Sequence, residues 1–237
     1  MAVRKRSTAA AGSTPRKPRA KAAPVAPVEQ QRPYPLLTPA GEPVQVVHVA
    51  AELAPFARTG GLGEAVANLA LEQVKAGLKV AVIMPLYPQV RTVVSDFVRV
   101  GDPFPVVVGA RTEEVHLCES QSLRAREGEG KPRVYFVANA HFFDREGIYG
   151  DAGGDYPDSA ERWGFFALAA LNALPRIAEA PVMMHAHDWH AALAPAYLRA
   201  YDMGRPFYRK TYSTLTVHNA GYQGHFAAET LGKVGLP

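Results

Sequence analysis

The chain has 237 residues, 48% hydrophobic and 20% charged, enough for one sizeable core or two small ones. Its formal charge of +4 is unevenly placed: residues 1–43 carry eight Lys/Arg against two Asp/Glu, a net +6, and the other 194 carry 18 against 20, a net −2. The folded part therefore offers no broad basic face for nucleic acid, the single cysteine Cys118 excludes an intrachain disulfide and fits a reducing cytoplasm, and the most apolar helical run, 165–174, is far short of the ~20 residues that span a bilayer.

Residues 1–43 read as a basic, Pro/Ala-rich disordered tail, because few large apolar side chains are present to offset the entropy of ordering it. It lacks the apolar stretch of a secretory signal, and its charge gives it a weak attraction for anionic surfaces. Residues 44–49 form a near-continuous apolar strand, the pattern of a parallel strand covered on both faces. A helix follows over 62–76, with Leu62, Val66, Leu69, Ala70 and Val74 as its buried stripe and Gly77 at its end. A second buried strand spans 79–84, and this β-α-β order argues for a parallel sheet with a right-handed crossover. Segments 92–108 and 114–118 suggest strands at a sheet edge or in a small insertion, 124–132 a polar hairpin or loop, and 133–138 another buried strand. A long aromatic loop runs from His141 to Pro157, of the length that is usually functional or mobile. Asp158 can cap a helix reaching Ile177 with Trp163, Phe166, Ala167, Ala170, Leu171 and Leu174 inward; a strand at 181–186, a helix at 191–200 and a strand at 211–217 complete the pattern.

Three stretches carry possible chemistry. After the first strand come Glu52, the basic Arg58 and the run Gly60-Gly61-Leu62-Gly63, which is neither G-x-G-x-x-G nor a Walker loop. Such a turn at a helix start can bind an anion through its N–H groups, or can simply be a tight turn needed for packing. Glu52 is expected to be exposed in the cleft above the strand. The second stretch, His185-Ala186-His187-Asp188-Trp189-His190, lies at a strand's carboxyl end, where open α/β sheets bind ligands. One reading is a zinc-dependent hydrolase using His185, His187 and His190, although the spacing is one residue off the H-x-H-x-D-H pattern. The other is an edge that contacts sugar or phosphate, with Asp188 accepting hydroxyl hydrogen bonds and Trp189 offering a face. The third stretch, Thr216-Val217-His218-Asn219-Ala220-Gly221-Tyr222-Gln223-Gly224, suits hydrogen bonding to a polyhydroxylated ligand, or is a polar turn with a buried histidine. A serine hydrolase is not supported, because no G-x-S-x-G occurs.

Residues 47–52 with Arg58-Thr59-Gly60-Gly61-Leu62-Gly63-Glu64 resemble the start of bacterial glycogen synthases and plant starch synthases. The His185–Ala191 and Thr216–Gly224 stretches resemble two further signatures of that family in the expected order, and Tyr149 to Trp163 resembles its aromatic loop and helix. The resemblance covers about residues 44–237. It implies an α/β, Rossmann-like parallel sheet flanked by helices, the N-terminal half of a GT-B glycosyltransferase that moves glucose from ADP-glucose to the non-reducing end of an α-1,4-glucan such as glycogen, with retention and without a cofactor or metal. It further implies a catalytic set of His218, Asp188 and Glu52. By motif position, Arg58 would contact the donor phosphates, Gly60 and Gly61 would let backbone N–H groups approach them, and Glu64, Tyr156, Trp189, Asn219 and Gln223 would bind substrate. No specific nucleic acid and no membrane are implied as partners.

The departures are local except one. Arg58 stands for the family lysine, keeping its charge and adding a bidentate fork; Glu64 stands for Asp, Trp163 for Phe and Ser159 for Asn. The family's second domain, with its phosphate-binding Arg/Lys pair and acidic nucleotide-sugar motif, is expected to be absent from these 237 residues. Alone they are expected to be inactive, or to act as a non-catalytic glucan-binding module.

Overall fold

The computed structural model describes residues 36–124, 130–200 and 205–236. In chain order the elements are β1 (Gln45–Val49), α1 (Gly61–Lys75), β2 (Val80–Pro85), α2 (Pro88–Val93), β3 (Phe97–Arg99), β4 (Phe104–Val108), β5 (Arg111–Ser120) and β6 (Arg133–Ala138). Then come α3 (Ala140–Phe143), β7 (Gly150–Asp151), β8 (Gly154–Asp155), α4 (Ser159–Ile177), β9 (Val182–His187), α5 (Asp188–Ala200), α6 (Pro206–Arg209), β10 (Thr211–Thr216), a 3-10 turn at Ala228–Thr230 and α7 (Leu231–Val234).

The main sheet has the order β10-β9-β1-β2-β6-β5-β3, with β4 also paired to β5. The pairs among β10, β9, β1, β2 and β6 are parallel, and those made by β3, β4 and β5 are antiparallel. All six residues of β2 are buried, as a strand covered on both faces requires. Helix α4 is buried almost all round, with Trp163, Phe166, Ala167, Ala170, Leu171 and Leu174 inward as their spacing predicts, and it packs on α5. The small β7–β8 hairpin sits within the aromatic 141–157 loop.

Several boundaries differ from the sequence reading. Most of the expected tail, 1–35, lies outside the described residues. Within 36–43 the chain already makes a turn, with an antiparallel bridge between Leu37 and Pro43 and Val44 N–H donating to Leu36 C=O at 2.8 Å. The segment expected to be extended from residue 92 instead begins inside a short helix, α2, which takes in residues 92 and 93 and is started by Pro88, whose fixed φ suits a first helical position. Residues 125–129 of the expected polar loop lie outside the described residues. The largest shift is α5, which begins at Asp188, three residues before the expected start, with no loop after β9. Among the described residues no helix is long and apolar enough to cross a membrane.

Candidate active site

Strand β1 is flanked by β2 on one side and β9 on the other, so the strand order runs outward in both directions from it. A doubly wound sheet opens a crevice beyond the carboxyl ends of the strands at such a point. The loop after β1, the first turn of α5 and the loop after β10 all start from that edge.

Glu52 is 3% exposed, not open to the cleft. One carboxylate oxygen, Oε2, accepts Thr59 N–H at 2.8 Å and, more loosely, Gly60 N–H at 3.4 Å; the other, Oε1, accepts the Thr59 hydroxyl at 3.0 Å and the Tyr149 hydroxyl at 2.5 Å. A buried carboxylate is tolerable only when its oxygens are so engaged. Its work is to fold the glycine loop and to hold the aromatic 141–157 loop against it. Burial and the facing Glu52 charge push the Tyr149 hydroxyl well above its usual range, which keeps it a donor.

The glycines differ in what they do. Gly60 has φ −145°, ordinary extended backbone, and a Cβ added at Gly60 or Gly61 would meet nothing within 4 Å. Neither is required by packing, so the loop leaves open space at the start of α1. Gly63 is the packing glycine: a Cβ there would lie 3.1 Å from Arg58 Cβ and 3.3 Å from Ala54 N. Arg58 is exposed and ion-paired with Glu64 on the first turn of α1. The pair holds the guanidinium beside the open glycines, at the electropositive end of the helix.

Asp188 has φ +55°, the left-handed region that Asp tolerates better than most side chains. This residue turns β9 directly into α5. Its Oδ1 accepts His218 N–H at 2.6 Å and Asn219 N–H at 3.4 Å, so that oxygen is spent on the loop after β10 rather than left for a ligand hydroxyl. Asn219 is exposed and its Oδ1 accepts Gly221 N–H at 3.0 Å, while the exposed Gln223 donates to Ala220 C=O. Both polar side chains brace their own turn. Trp189 is half-buried over a mostly apolar cavity of about 410 Å³, 6.2 Å from the Trp163 ring and against Phe226 and Gly224. Tyr156 does not stand free: its hydroxyl accepts Gly147 N–H at 3.1 Å, and its ring lies under the Arg145 and Arg162 guanidiniums.

The histidines do not gather as the zinc reading needs. His190 stacks on Tyr149 with ring centroids 4.6 Å apart and packs edge-on against Trp163, away from the other two. The trio whose nitrogens approach within 4.8 Å is His48, His185 and His187. Their rings lie at 24–34° to one another with centroids 4.2–5.1 Å apart, stacked rather than aimed at a common centre. A metal needs converging lone pairs; these nitrogens instead bond to neighbours. His48 Nδ1 meets His187 Nε2 at 2.9 Å, and His185 Nε2 meets Thr216 Oγ1 at 2.7 Å. Burial, with the neighbouring histidines, lowers His48 to about 4 and His187 to about 2; burial and the Arg162 charge lower His190 to about 3. All three are therefore neutral near pH 7.

Sequence reasoning passed over Tyr149 as a partner of Glu52, and His48 and Gln73 as partners of the later histidines. The only local signal for His48 is a polar side chain inside the otherwise apolar run 46–49. Arg162 is another such residue: it is fully buried, donates to Phe142 C=O at 2.6 Å and Ile148 C=O at 2.5 Å, and is surrounded by aromatic rings including Tyr87, Phe143 and Trp163. It ties the 141–157 loop to α4.

A largely parallel, doubly wound sheet with a cation, open glycines and a hydroxyl-and-imidazole loop at its switch point matches one Rossmann-like half of a GT-B glycosyltransferase catalytic domain. Comparison with known proteins is specific on this. The family model described as the starch synthase catalytic domain matches residues 45–237. A glycogen synthase of Syntrophotalea carbinolica is 39% identical over 193 residues, covering 81% of this chain and 38% of that protein. Glycogen synthase 2 of Geobacter sulfurreducens is 37% identical over 194 residues, covering 82% and 39%. The catalytic domain of starch synthase IV from Arabidopsis thaliana, solved bound to ADP and acarbose, superposes with a TM-score of 0.67 at 31% identity, covering 82% of this chain and 38% of that one. The chain belongs to the starch synthase catalytic domain family, and it spans under two-fifths of the length of these relatives.

Proposed function

We propose that the chain supplies the N-terminal wall of an ADP-glucose-dependent glucosyltransferase that extends an α-1,4-glucan such as glycogen, with retention at the anomeric carbon, in the cytoplasm. The observation that carries this reading is the open space at Gly60 and Gly61, unneeded by the protein's own packing, beside the Arg58 guanidinium at the start of α1. A leaving diphosphate requires fixed positive charge and N–H donors that need no rearrangement during the reaction. On this reading Arg58 leaves Glu64 to engage the donor phosphates, and the N–H groups of Gly60 and Gly61 face them. Gly60 can do so because its bond to Glu52 is long.

His218 is the exposed imidazole of the facing loop and is assigned a place beside the transferred glucose, in contact with its hydroxyls. Glu52 and Asp188 act as positioning residues: the first shapes the phosphate loop, the second holds the His218 backbone. Trp189, Asn219, Gln223, Glu64 and Tyr156 are assigned to the acceptor side, Trp189 by its face and Tyr156 indirectly, through the loop it closes. The bacterial glycogen synthase relatives and the ADP and acarbose of the plant structure support the two ligand types.

Calorimetric titration of the chain with ADP and separately with maltoheptaose tests this. ADP is expected to bind, and Arg58→Ala to weaken it about tenfold, the loss of one charge-assisted contact to phosphate. Glucan binding without any ADP binding would remove the donor site and leave a glucan-binding module. An Arg58→Ala affinity equal to wild type would remove the phosphate role of that residue.

A further inference from the structure

Four side chains from separate parts of the fold form one unbroken hydrogen-bonded line. Gln73 Oε1 on α1 meets His48 Nε2 at 2.7 Å; His48 Nδ1 on β1 meets His187 Nε2 on β9 at 2.9 Å; His187 Nδ1 meets His218 Nε2 at 2.9 Å. Its two middle members are fully buried, and its outer end, His218, is exposed on the cleft side. We propose that Gln73, acting through His48 and His187, fixes which ring nitrogen of His218 carries the proton.

A neutral imidazole has one N–H and one acceptor nitrogen. His48 and His187 each spend both nitrogens on the line, and each link needs a single hydrogen. All donors must therefore point the same way, and the line has only two settings. With the Gln73 carbonyl oxygen against His48, every N–H points towards Gln73: His48, His187 and His218 are all protonated at Nε2. The Nδ1 of His218 is then left as an acceptor, not committed to the line. Turning the Gln73 amide over would reverse all three rings and present Nδ1–H there instead.

Burial protects the arrangement. An extra proton on His48 or His187 would set N–H against N–H inside the core, and burial holds both far below the usual histidine range. His185, though stacked on His187 and tilted against His48, stands outside the line because its Nε2 is taken by Thr216. The His218 backbone is fixed separately by Asp188. Gln73 is thus a positioning residue, carried by the same helix whose first turn forms the glycine loop. The catalytic consequence rests on the proposed place of His218 beside the glucose: as an Nδ1 acceptor it would receive a sugar hydroxyl, not donate to a sugar oxygen. The line itself does not depend on that reading.

The test is long-range proton–nitrogen NMR of the 15N-histidine-labelled chain at pH 8, with ADP-glucose and ADP affinities measured on the same samples. Wild type is expected to show His48, His187 and His218 as Nε2–H tautomers. Gln73→Leu removes the terminal acceptor and is expected to give mixed tautomers at His218 and at least a threefold weaker ADP-glucose affinity, with ADP affinity unchanged. Gln73→Glu keeps an acceptor and is expected to restore the wild-type tautomers. Nδ1–H on the wild-type rings, or a His218 tautomer indifferent to Gln73→Leu in a chain whose amide spectrum remains folded, overturns the proposal. A tautomer change without any change in ADP-glucose affinity upholds the line and removes His218 from the glucose site instead.

Discussion

Acidification is the sharpest test of how the histidines are held. His48, His187 and His190 have folded-state values near 4, 2 and 3, with burial as the main cause, against about 6.5 in an unfolded chain. Lowered values mean that the native state refuses protons the unfolded chain accepts. Their contribution is therefore complete above pH 6.5 and is lost progressively as the pH falls below it. At pH 5 each has been refused about 1.5 pH units, worth roughly 2 kcal/mol apiece and about 6 kcal/mol for the three. That matches the whole stability of many domains, about 5–15 kcal/mol. The lowered carboxylates Asp96 and Asp158 act only around and below the usual carboxylate range, and His185, also lowered by burial and by His218, adds to the loss in the same direction. Urea unfolding at pH 7.0, 6.0, 5.5 and 5.0 should give a stability that drops by at least about 4 kcal/mol per pH unit near pH 5, three protons or more. His190→Phe, which keeps the stacking on Tyr149 and Trp163, should remove about one proton from that slope. A wild-type slope below about 1.4 kcal/mol per pH unit, less than one proton, would refute the picture of neutral buried imidazoles.

Three substitutions probe the rest of the site. Glu52→Gln is expected to weaken ADP binding about tenfold by calorimetry, because the amide cannot accept from both Thr59 and Tyr149 as the carboxylate does. Gly224→Ala places a Cβ 2.2 Å from the Trp189 ring at φ +62°, and urea melts should show a loss of about 1–3 kcal/mol. Arg162→Met leaves the Phe142 and Ile148 carbonyls unpaired; about 3 kcal/mol of stability should disappear, and limited proteolysis should cut within 141–157 sooner than in wild type.

The parallel sheet was legible because β1 and β2 are apolar runs interrupted only by a helix of clear period, and α4 because its inward positions recur at helical spacing. The start of α5 was not, because the chain passes from strand to helix through a left-handed Asp188, a geometry that no local propensity announces. The burial of Glu52 depends on Tyr149, 97 residues away, and only the folded loop brings the two together. For the histidine line, the residues were visible and their partners were not. Alternation along β9 puts His185 and His187 on one face, and the register that sets His48 beside His185 brings His48 within reach of His187. Register is a property of the sheet, so the zinc reading and the hydrogen-bonded line could not be separated before the strands were paired.

The chain has only two tryptophans, and both belong to this site: Trp163 in the buried wall of α4 and Trp189 over the cavity, their rings edge-to-face. All of its indole emission therefore originates beside the loops proposed to bind glucan. The pair is close enough to couple optically, so near-ultraviolet dichroism and fluorescence at 295 nm excitation should report movement of the 220–227 segment without any label. The protein carries its own optical reporter for whether that segment stays seated on Trp189 when ligands arrive.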